Sequence, residues 1–260
     1  MTPSRQTALI TGAGNGIGRA IAIAMAENDR NVVCADIDLS AAETTAATIR
    51  QLGVEATALK VDVGETSEIS NMIQDIERQF GRLDILVNNA GVTRAADIME
   101  LTEADWDKIH RVNAKGVFFC LQNAAKQMIE RGNGGRIINI ASIAGRGFSG
   151  TSNAAYSASK GAVISLTKTA AQQLAKHNIT VNSICPGVTT TEIVEGLVKT
   201  RAEARGISVE AIVKEMTDNI PLKRANEPED IAAMAIFLAS SGARNITGQS
   251  YNVDGGLVTS

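Results

Sequence analysis

The feature that most constrains the fold is a glycine-rich turn between a short apolar run and a helical pattern near the N-terminus. Thr7 to Thr11 (TALIT) reads as a buried strand. Three glycines at the junction permit a tight turn and let backbone amides approach a phosphate closely: Gly12, Gly16 and Gly18. Apolar residues then recur on one face of a predicted helix, at Ile17, Ile21, Ala24 and Met25. We predict a phosphate-binding turn at the N-terminus of this helix, where unpaired N–H groups favour an anion. The alternative is a plain strand-to-helix turn.

An acidic residue ends the next apolar run. Asp36 lies in NVVCADID, eighteen positions after Gly18. A carboxylate there can accept hydrogen bonds from both ribose hydroxyls of an adenosine, and it would repel a 2′-phosphate. Asn15, just before Gly16, is not the Arg or Lys that could pair with such a phosphate. The pattern favours NAD as the cofactor, against the alternative that Asp36 is a solvated loop acid.

A second chemically active group lies in the segment AAYSASKGAV. Tyr156 and Lys160 are four residues apart, so a helix places them on one face. Keeping a phenolate at neutral pH costs about 4 kcal/mol, and an ammonium about 5 Å away supplies roughly 3 kcal/mol. Ser142 ends the apolar run RIINIAS and can hold a substrate oxygen at the carboxyl edge of a sheet. The alternatives are that Tyr156 and Lys160 are an ordinary pair on one helix, and that Ser142 only caps or turns the chain.

Strand and helix patterns alternate along the whole chain, which indicates an α/β fold with a parallel sheet covered on both faces. The predicted helices include about Ser40 to Leu52, Ser67 to Phe80 and a long helix from about Glu103. With 260 residues and 44% hydrophobic content, the chain can bury one large core. We therefore expect residues 1–260 to form a single domain.

These motifs together resemble the short-chain dehydrogenase/reductase family, in the branch with TGxxxGxG and YxxxK. TGAGNGIG, NNAG, RVNAKGVF, the YxxxK pair, CPGVTTTE and NVDGG occur in the family's order, from Thr7 to about Val258. The resemblance implies a Rossmann-type doubly wound sheet of about seven strands. It also implies a catalytic tetrad of Asn113, Ser142, Tyr156 and Lys160, in which Asn113 holds a water of a proton relay.

The resemblance further implies which residues surround the two ligands. Asp62 matches the acid that contacts adenine, and Thr189 and Thr191 match residues that contact the nicotinamide carboxamide. The expected cofactor contacts are Gly12, Asn15, Gly16, Ile17, Gly18, Asp36, Asp62, Val63, Asn89, Ala90, Gly91, Tyr156, Lys160, Pro186, Gly187, Thr189 and Thr191. The expected substrate contacts are Ser142, Ala144, Asn153, Tyr156 and Gly187, with Ile143, Phe148 and Val188 as further neighbours.

Composition excludes several other function classes. The net charge of −3 comes with no basic stripe, which argues against a nucleic-acid partner. Cys34, Cys120 and Cys185 form no CxxC and are expected to be reduced core thiols. The two histidines, His110 and His177, have no metal-ligand spacing, so no catalytic metal is expected. No apolar run approaches a membrane span and the first residues lack a signal-peptide core, so we expect a cytoplasmic protein without a membrane partner.

The predicted reaction is reversible hydride transfer between NAD(H) and a secondary alcohol or ketone. The charged stretch from Thr189 to Pro221 is predicted to be a substrate lid, and its length resembles that of NAD-linked polyol and diol dehydrogenases; a plain surface insertion is the alternative. One competing function is an NADPH-dependent 3-oxoacyl-ACP reductase, and another is a nucleotide sensor without turnover. The resemblance implies a homotetramer that packs the helix from Glu103 and the Tyr156 helix against symmetry mates.

Overall fold

A computed structural model of the chain describes residues 5–148 and 152–259. All its strands are parallel and form one seven-stranded sheet in the order β3-β2-β1-β4-β5-β6-β7. The strands are β1 (Thr7–Thr11), β2 (Asn31–Asp36), β3 (Ala56–Lys60), β4 (Ile85–Asn88), β5 (Gly135–Ile140), β6 (Ile179–Pro186) and β7 (Ser250–Val253). The chain runs outward from β1 to β3 and then returns to β4 beside β1, which makes the sheet doubly wound and confirms the predicted fold class.

Helices cover both faces of this sheet. They are α1 (Gly16–Glu27), α2 (Leu39–Arg50), α3 (Thr66–Phe80), α4 (Glu103–His110), α5 (Val117–Arg131), α6 (Ala154–Leu174), α7 (Glu192–Arg205), α8 (Val209–Asp218) and α9 (Pro228–Ala239). In the described parts of the chain, no helix combines the length and apolar composition needed to cross a bilayer.

The core is divided into two layers by the period-two alternation of the strands. On β1, Ala8 and Ile10 face the layer that α1, α2 and α9 cover, whereas Leu9 faces the layer of α3, α5 and α6. Cys34 belongs to the first layer and Cys120 to the second, and all three cysteines are buried and free. Because the central strands are buried on both faces, apolar residues occupy consecutive positions in them, as in Ala8 to Ile10 of β1 and Ile85 to Val87 of β4.

The long helix predicted from Glu103 is interrupted in the structure. Between α4 and α5, the residues Arg111–Gly116 form a π-helical segment, in which one turn is wider than an α-turn. Gly116 packs on the segment after β3, where an added Cβ would lie 2.7 Å from the Val63 carbonyl oxygen. The predicted helix does begin at Glu103 and continues to Arg131, but apolar periodicity does not show the local widening within it.

Two helices form the segment predicted as a lid, and α7 and α8 are called the lid below. Val198 and Ala202 of α7 pack on Ile212 of α8, and Arg205 forms an ion pair with Glu215 at 2.6 Å. Asn226 holds the base of the lid. Its backbone N–H donates to Val188 O at 2.8 Å, and its side-chain amide donates to Val253 O of β7 at 2.6 Å.

Candidate functional site

A cavity of about 480 Å³ lies at the carboxyl ends of the strands. Segments that follow β1 to β6 all contribute to its wall, as expected for ligand sites in doubly wound sheets. Seventeen of the predicted site residues line it: Gly12, Asn15, Gly16, Ile17, Asp36, Asp62, Val63, Asn89, Ala90, Gly91, Ser142, Tyr156, Lys160, Pro186, Gly187, Thr189 and Thr191. The sequence motifs, though distant along the chain, therefore meet in one place.

The glycine turn forms one end of this cavity. Gly12 has a φ of +66°, and an added Cβ there would lie 2.9 Å from the Cα of Ala90. Gly18 is not part of the wall; it packs against the turn from behind, where a Cβ would collide with the Gly12 carbonyl. Asn15 is the N-cap of α1, but its side chain accepts no hydrogen bond from the first N–H groups of this helix. The Asn15 side chain therefore does not satisfy these N–H groups. This arrangement fits a pyrophosphate.

Acidic groups surround the adjacent part of the cavity. Asp36 accepts hydrogen bonds from the N–H groups of Gly14 at 2.8 Å and of Asp38 at 3.0 Å, which fixes its carboxylate beside the glycine turn. Asp62 forms an ion pair with Arg111 at 2.9 Å. Among the described residues that line the cavity, Lys160 is the only basic one, and it lies on α6. The wall near Asp36 therefore offers acceptors for hydroxyl groups and no cation for an additional phosphate.

Tyr156 and Ser142 line the cavity together, and the Ser142 side chain lies close enough to the phenol to favour its ionised form. Lys160 lies with its Nζ 5.7 Å from the centre of the Tyr156 ring and donates a hydrogen bond to the Ile140 carbonyl at 2.8 Å. Burial raises the pKa of Tyr156, which the hydrogen bond with Ser142 opposes. Burial also lowers the pKa of Lys160 to about 8.

These shifts correct one step of the sequence argument. In the protein alone the desolvation of the phenol outweighs the hydrogen bonding from Ser142, so the pKa of Tyr156 is raised although Lys160 is nearby. The helical spacing of the pair is confirmed, but no pattern in the sequence measures how deeply both groups are buried.

Ser142 both caps a turn of the chain and lines the cavity. It precedes a short 3₁₀ turn, Ile143–Arg146, and its Oγ accepts a hydrogen bond from the Ala144 N–H at 3.1 Å. The same hydroxyl contacts Tyr156 and lines the cavity. The turn therefore orients the serine side chain toward the tyrosine.

Asn113 lies in the π-helical segment, behind the cavity wall. Its Oδ1 accepts from the Val92 N–H at 2.8 Å, and its Nδ2 donates to Val92 O at 2.9 Å and to Ser159 Oγ at 3.1 Å. Both side-chain donors are thus used to tie the segment after β4 to α6. Gly91 lies between this amide and Lys160, since an added Cβ would be 3.4 Å from Asn113 Oδ1 and 3.5 Å from Lys160 Nζ. The predicted water contact remains a prediction, and in this geometry the side chain could make it only through Oδ1.

The last predicted cofactor residues lie at the base of the lid. Thr189 is buried and donates from its Oγ1 to Gly187 O at 3.2 Å. Thr191 is the N-cap of α7, and a Cβ on Gly16 would lie 3.4 Å from its Cγ2. The start of the lid therefore lies directly against the glycine turn.

Ala144 and Asn153, predicted as substrate contacts, do not line the cavity, and neither do Ile143 and Phe148. Asn153 caps α6 by accepting from the Tyr156 N–H at 2.8 Å, while its amide donates to Arg94 O at 2.7 Å. Ala144 and Ile143 are buried within the 3₁₀ turn, and Phe148 packs with a small apolar cluster. The turn and the cap direct these side chains away from the cavity, and their contact with a substrate stays a prediction.

Several cavity residues were missed by sequence reasoning. Thr93 and Ser152 line the wall near Tyr156, and their hydroxyl oxygens are 2.6 Å apart. Val194, Val198 and Met216 reach the cavity from the lid. Thr93 lies two residues after the NNAG motif and could have been found from that position, whereas the lid residues carry no motif.

No group of three or more potential metal ligands occurs among His, Cys, Asp and Glu in the described residues. The donor set of the cavity, with backbone N–H groups, hydroxyls and two carboxylates, suits an organic ligand.

Comparison with known proteins agrees with this geometry. A family model described as enoyl-(acyl carrier protein) reductase matches residues 12–258. A curated relative, the 3-oxoacyl-[acyl-carrier-protein] reductase FabG of Staphylococcus epidermidis, is 41% identical over 97% of this chain and 98% of its own. Galactitol 2-dehydrogenase of Agrobacterium fabrum is 40% identical over 98% of both chains.

Two solved structures extend the comparison to the coenzyme. A putative 2-deoxy-D-gluconate 3-dehydrogenase from Agrobacterium tumefaciens with bound NADP has a TM-score of 0.85 and 37% identity, covering 99% of both chains. NAD⁺-bound xylitol dehydrogenase has a TM-score of 0.90 and 32% identity, covering 98% of this chain and all of that one (100%).

Proposed function

Because this chain belongs to the short-chain dehydrogenase/reductase family, an oxidoreductase family, we propose that it transfers a hydride between NAD(H) and a secondary alcohol or ketone. The observation that carries the proposal is that Ser142, Tyr156 and Lys160 line the same cavity as the glycine turn. A nucleotide-binding cavity alone would not need this arrangement.

Each residue has a role that follows from its position. Tyr156 removes the alcohol proton during oxidation and returns it during reduction, and Ser142 holds the reacting oxygen. Lys160 supplies a buried positive charge that favours phenolate, while Asn113 fixes the backbone next to it. When bound, nicotinamide accepts or delivers the hydride, and its oxidised form carries a positive charge. That charge works in the same direction as the ammonium and against the desolvation of the phenol.

We propose NAD rather than NADP. Asp36 is held by two backbone N–H groups beside the glycine turn, and the described wall there has no basic residue. A 2′-phosphate next to this carboxylate would be repelled without compensation. One solved relative binds NADP and another NAD⁺, so coenzyme choice varies among similar chains and depends on such local residues.

For the substrate we propose a polyol, a diol or a similar small hydroxy compound. The names of two relatives, galactitol 2-dehydrogenase and sorbitol dehydrogenase, support this class. The second candidate is an NADPH-dependent 3-oxoacyl-ACP reductase, which the 41% identity to FabG favours. Hydroxyl groups of Thr93 and Ser152 near Tyr156 suit a substrate with a second polar group beside the reacting carbon.

The test compares initial rates with NAD⁺ and NADP⁺ on a panel of secondary alcohols, followed by NADH and NADPH on acetoacetyl thioesters. We expect turnover with NAD⁺, and loss of two to four orders of magnitude in kcat in Tyr156→Phe, at unchanged NAD⁺ affinity. A strong preference for NADPH and thioesters would support the second candidate. Tight NAD⁺ binding without turnover of any compound would support a nucleotide sensor instead.

We also propose a homotetramer in the cytoplasm. Trp106 of α4 and Phe118 of α5 are 47% and 40% exposed, which suits a face covered by another copy of the chain. Three free, buried thiols suit a reducing compartment. Sedimentation equilibrium tests the assembly, since a monomer at micromolar concentration would contradict it.

A further inference from the structure

A second cavity of about 230 Å³ lies between the two lid helices. Its described wall is almost entirely apolar, and it consists of Val188, Thr190, Val194, Glu195, Val198, Lys199, Val209, Val213, Met216, Thr217 and Ala225. Glu195 and Lys199 are exposed, so their charged ends can stay in water. The space between the helices therefore presents methyl and methylene groups to whatever occupies it.

This lid cavity adjoins the catalytic cavity. Val188, Val194, Val198 and Met216 line both, so the two share one wall. Met216 is an unbranched, adaptable side chain that can rearrange around a ligand passing this wall. The hydroxyl groups of Thr93 and Ser152 line the catalytic cavity but not the lid cavity. A substrate held at Ser142 and Tyr156 thus has two polar hydroxyls within the catalytic cavity and an apolar cavity adjoining it.

From this asymmetry we infer that the substrate carries an unbranched hydrocarbon arm, which occupies the cavity between α7 and α8. The inference rests on the proposed function and narrows its substrate class to a hydroxy compound with one polar and one aliphatic side. A sugar alcohol with a hydroxyl on every carbon does not meet this condition, because its hydroxyls would be buried in the lid cavity without partners.

The size of the cavity sets the length of the arm. An apolar protein cavity of about 150 Å³ binds benzene, which has six carbons. The 230 Å³ of the lid cavity therefore hold an arm of about six to nine carbons. Each methylene buried there should improve binding about fourfold, until the cavity is filled.

The experiment uses 1,2-alkanediols from propane-1,2-diol to decane-1,2-diol, with sorbitol and galactitol as fully hydroxylated comparisons. Binding to the protein with saturating NAD⁺ is measured by calorimetry, and kcat/KM for NAD⁺ reduction is measured in parallel. We expect affinity and kcat/KM to rise about fourfold per carbon and to level off near the length that fills the cavity. Sorbitol and galactitol should bind more weakly than hexane-1,2-diol.

A pair of variants tests whether the dependence of affinity on chain length arises in the lid cavity. Val213 lines the lid cavity and is absent from the wall of the catalytic cavity, so Val213→Phe should shorten the arm at which affinity levels off by several carbons. Lys214 is the next residue on α8, where it is exposed and paired with Asp218. Lys214→Phe places the same ring on the solvent side and should leave the chain-length profile as in the parent protein.

The outcomes separate this inference from the proposed function. Equal affinity for all diols, or a profile that Val213→Phe leaves unchanged, overturns the inference while hydride transfer can still be seen. A rise in calorimetric affinity with chain length but no NAD⁺ reduction supports the apolar arm site and contradicts the proposed reaction. Tighter binding of sorbitol than of hexane-1,2-diol overturns the inference as well.

Discussion

Replacing Lys160 by Met should make the protein more stable and less active, because the structure buries this ammonium with one hydrogen bond from its Nζ, to Ile140 O. Burial lowers the pKa of Lys160 from its ordinary 10.5 to about 8. This lowering of the pKa makes the free energy of unfolding of the wild-type protein at pH 7 about 3 kcal/mol smaller than it would be without the shift. Methionine has a similar shape and no charge to desolvate.

The pH dependence distinguishes the charge from other effects of the substitution. Between pH 8 and 10.5 the unfolded chain binds more protons at Lys160 than the folded one, so wild-type stability rises with pH in this window. The lost hydrogen bond to Ile140 changes the stability of the variant by a roughly constant amount, about 1 kcal/mol. The stability difference between the two proteins should therefore change by about 2 to 3 kcal/mol between pH 7 and pH 10, in favour of the wild type. Urea unfolding at both pH values measures it.

The same variant should oxidise alcohols with a shifted pH profile. Lys160 Nζ lies 5.7 Å from the centre of the Tyr156 ring. An ammonium about 5 to 6 Å from a phenolate oxygen favours phenolate by roughly 3 kcal/mol at an effective dielectric of about 20, which equals about two pKa units. The apparent pKa in kcat/KM should rise by about that amount, and the rate at pH 7 should fall about a hundredfold. A stability difference that is constant with pH, or an unshifted profile in a variant that still binds NAD⁺, would refute the electrostatic argument.

Three further predictions address the coenzyme, the lid base and the glycine turn. Asp36→Asn removes the charge but keeps an acceptor for the N–H groups of the glycine turn. The ratio of kcat/KM for NADP⁺ to that for NAD⁺ should therefore rise at least tenfold, which is a loss of ~1.4 kcal/mol or more in the discrimination between the two coenzymes. An unchanged ratio would contradict the role of the carboxylate. Asn226→Ala removes the hydrogen bond to Val253 O, so amide hydrogen exchange at the lid base should become faster, and equal exchange rates would show that this bond does not hold the lid. Gly18→Ala brings a Cβ onto the Gly12 carbonyl and should lower the free energy of unfolding, measured with urea, by more than about 2 kcal/mol. The control is Gly196→Ala on α7, where a Cβ would have open space, and this variant should be as stable as the wild type or more stable.

The parts of the site that follow from the sequence are those whose chemistry is encoded in a short segment. The glycine turn, Asp36 at a strand end and the Tyr156–Lys160 spacing each depend on one strand or one helix, and all of them reach the same cavity. The parallel sheet was predictable for a similar reason, since β1, β2 and β4 are local apolar runs, whereas its doubly wound order of about seven strands was implied by the family resemblance. Local patterns are sufficient where a backbone period determines the direction of the side chain.

The parts that could not be predicted depend on contacts between distant segments. The amide of Asn113 is engaged by Val92, twenty-one residues away, and by Ser159, forty-six residues away. The substrate residues Ala144 and Asn153 are turned inward by a 3₁₀ turn and a helix cap. The deep burial of Lys160, which sets its pKa, results from the packing of α6 on the sheet. None of these has a signature in composition or periodicity.

In the wide turn at Arg111–Gly116, the number of residues determines the direction in which each side chain of the segment points. Because the wide turn accommodates one residue more than an α-turn, a deletion of one residue here would convert it to a regular turn and keep the phase of α4 relative to α5. The residues of the segment itself would shift by up to one position, which is about 100° around the helix axis. The Asn113 amide would then leave Val92 and Ser159, although no residue of the cavity wall had been altered. An aligned homologue with a one-residue gap at this point should accordingly be treated as having a different relay geometry, even when its tyrosine and lysine are intact.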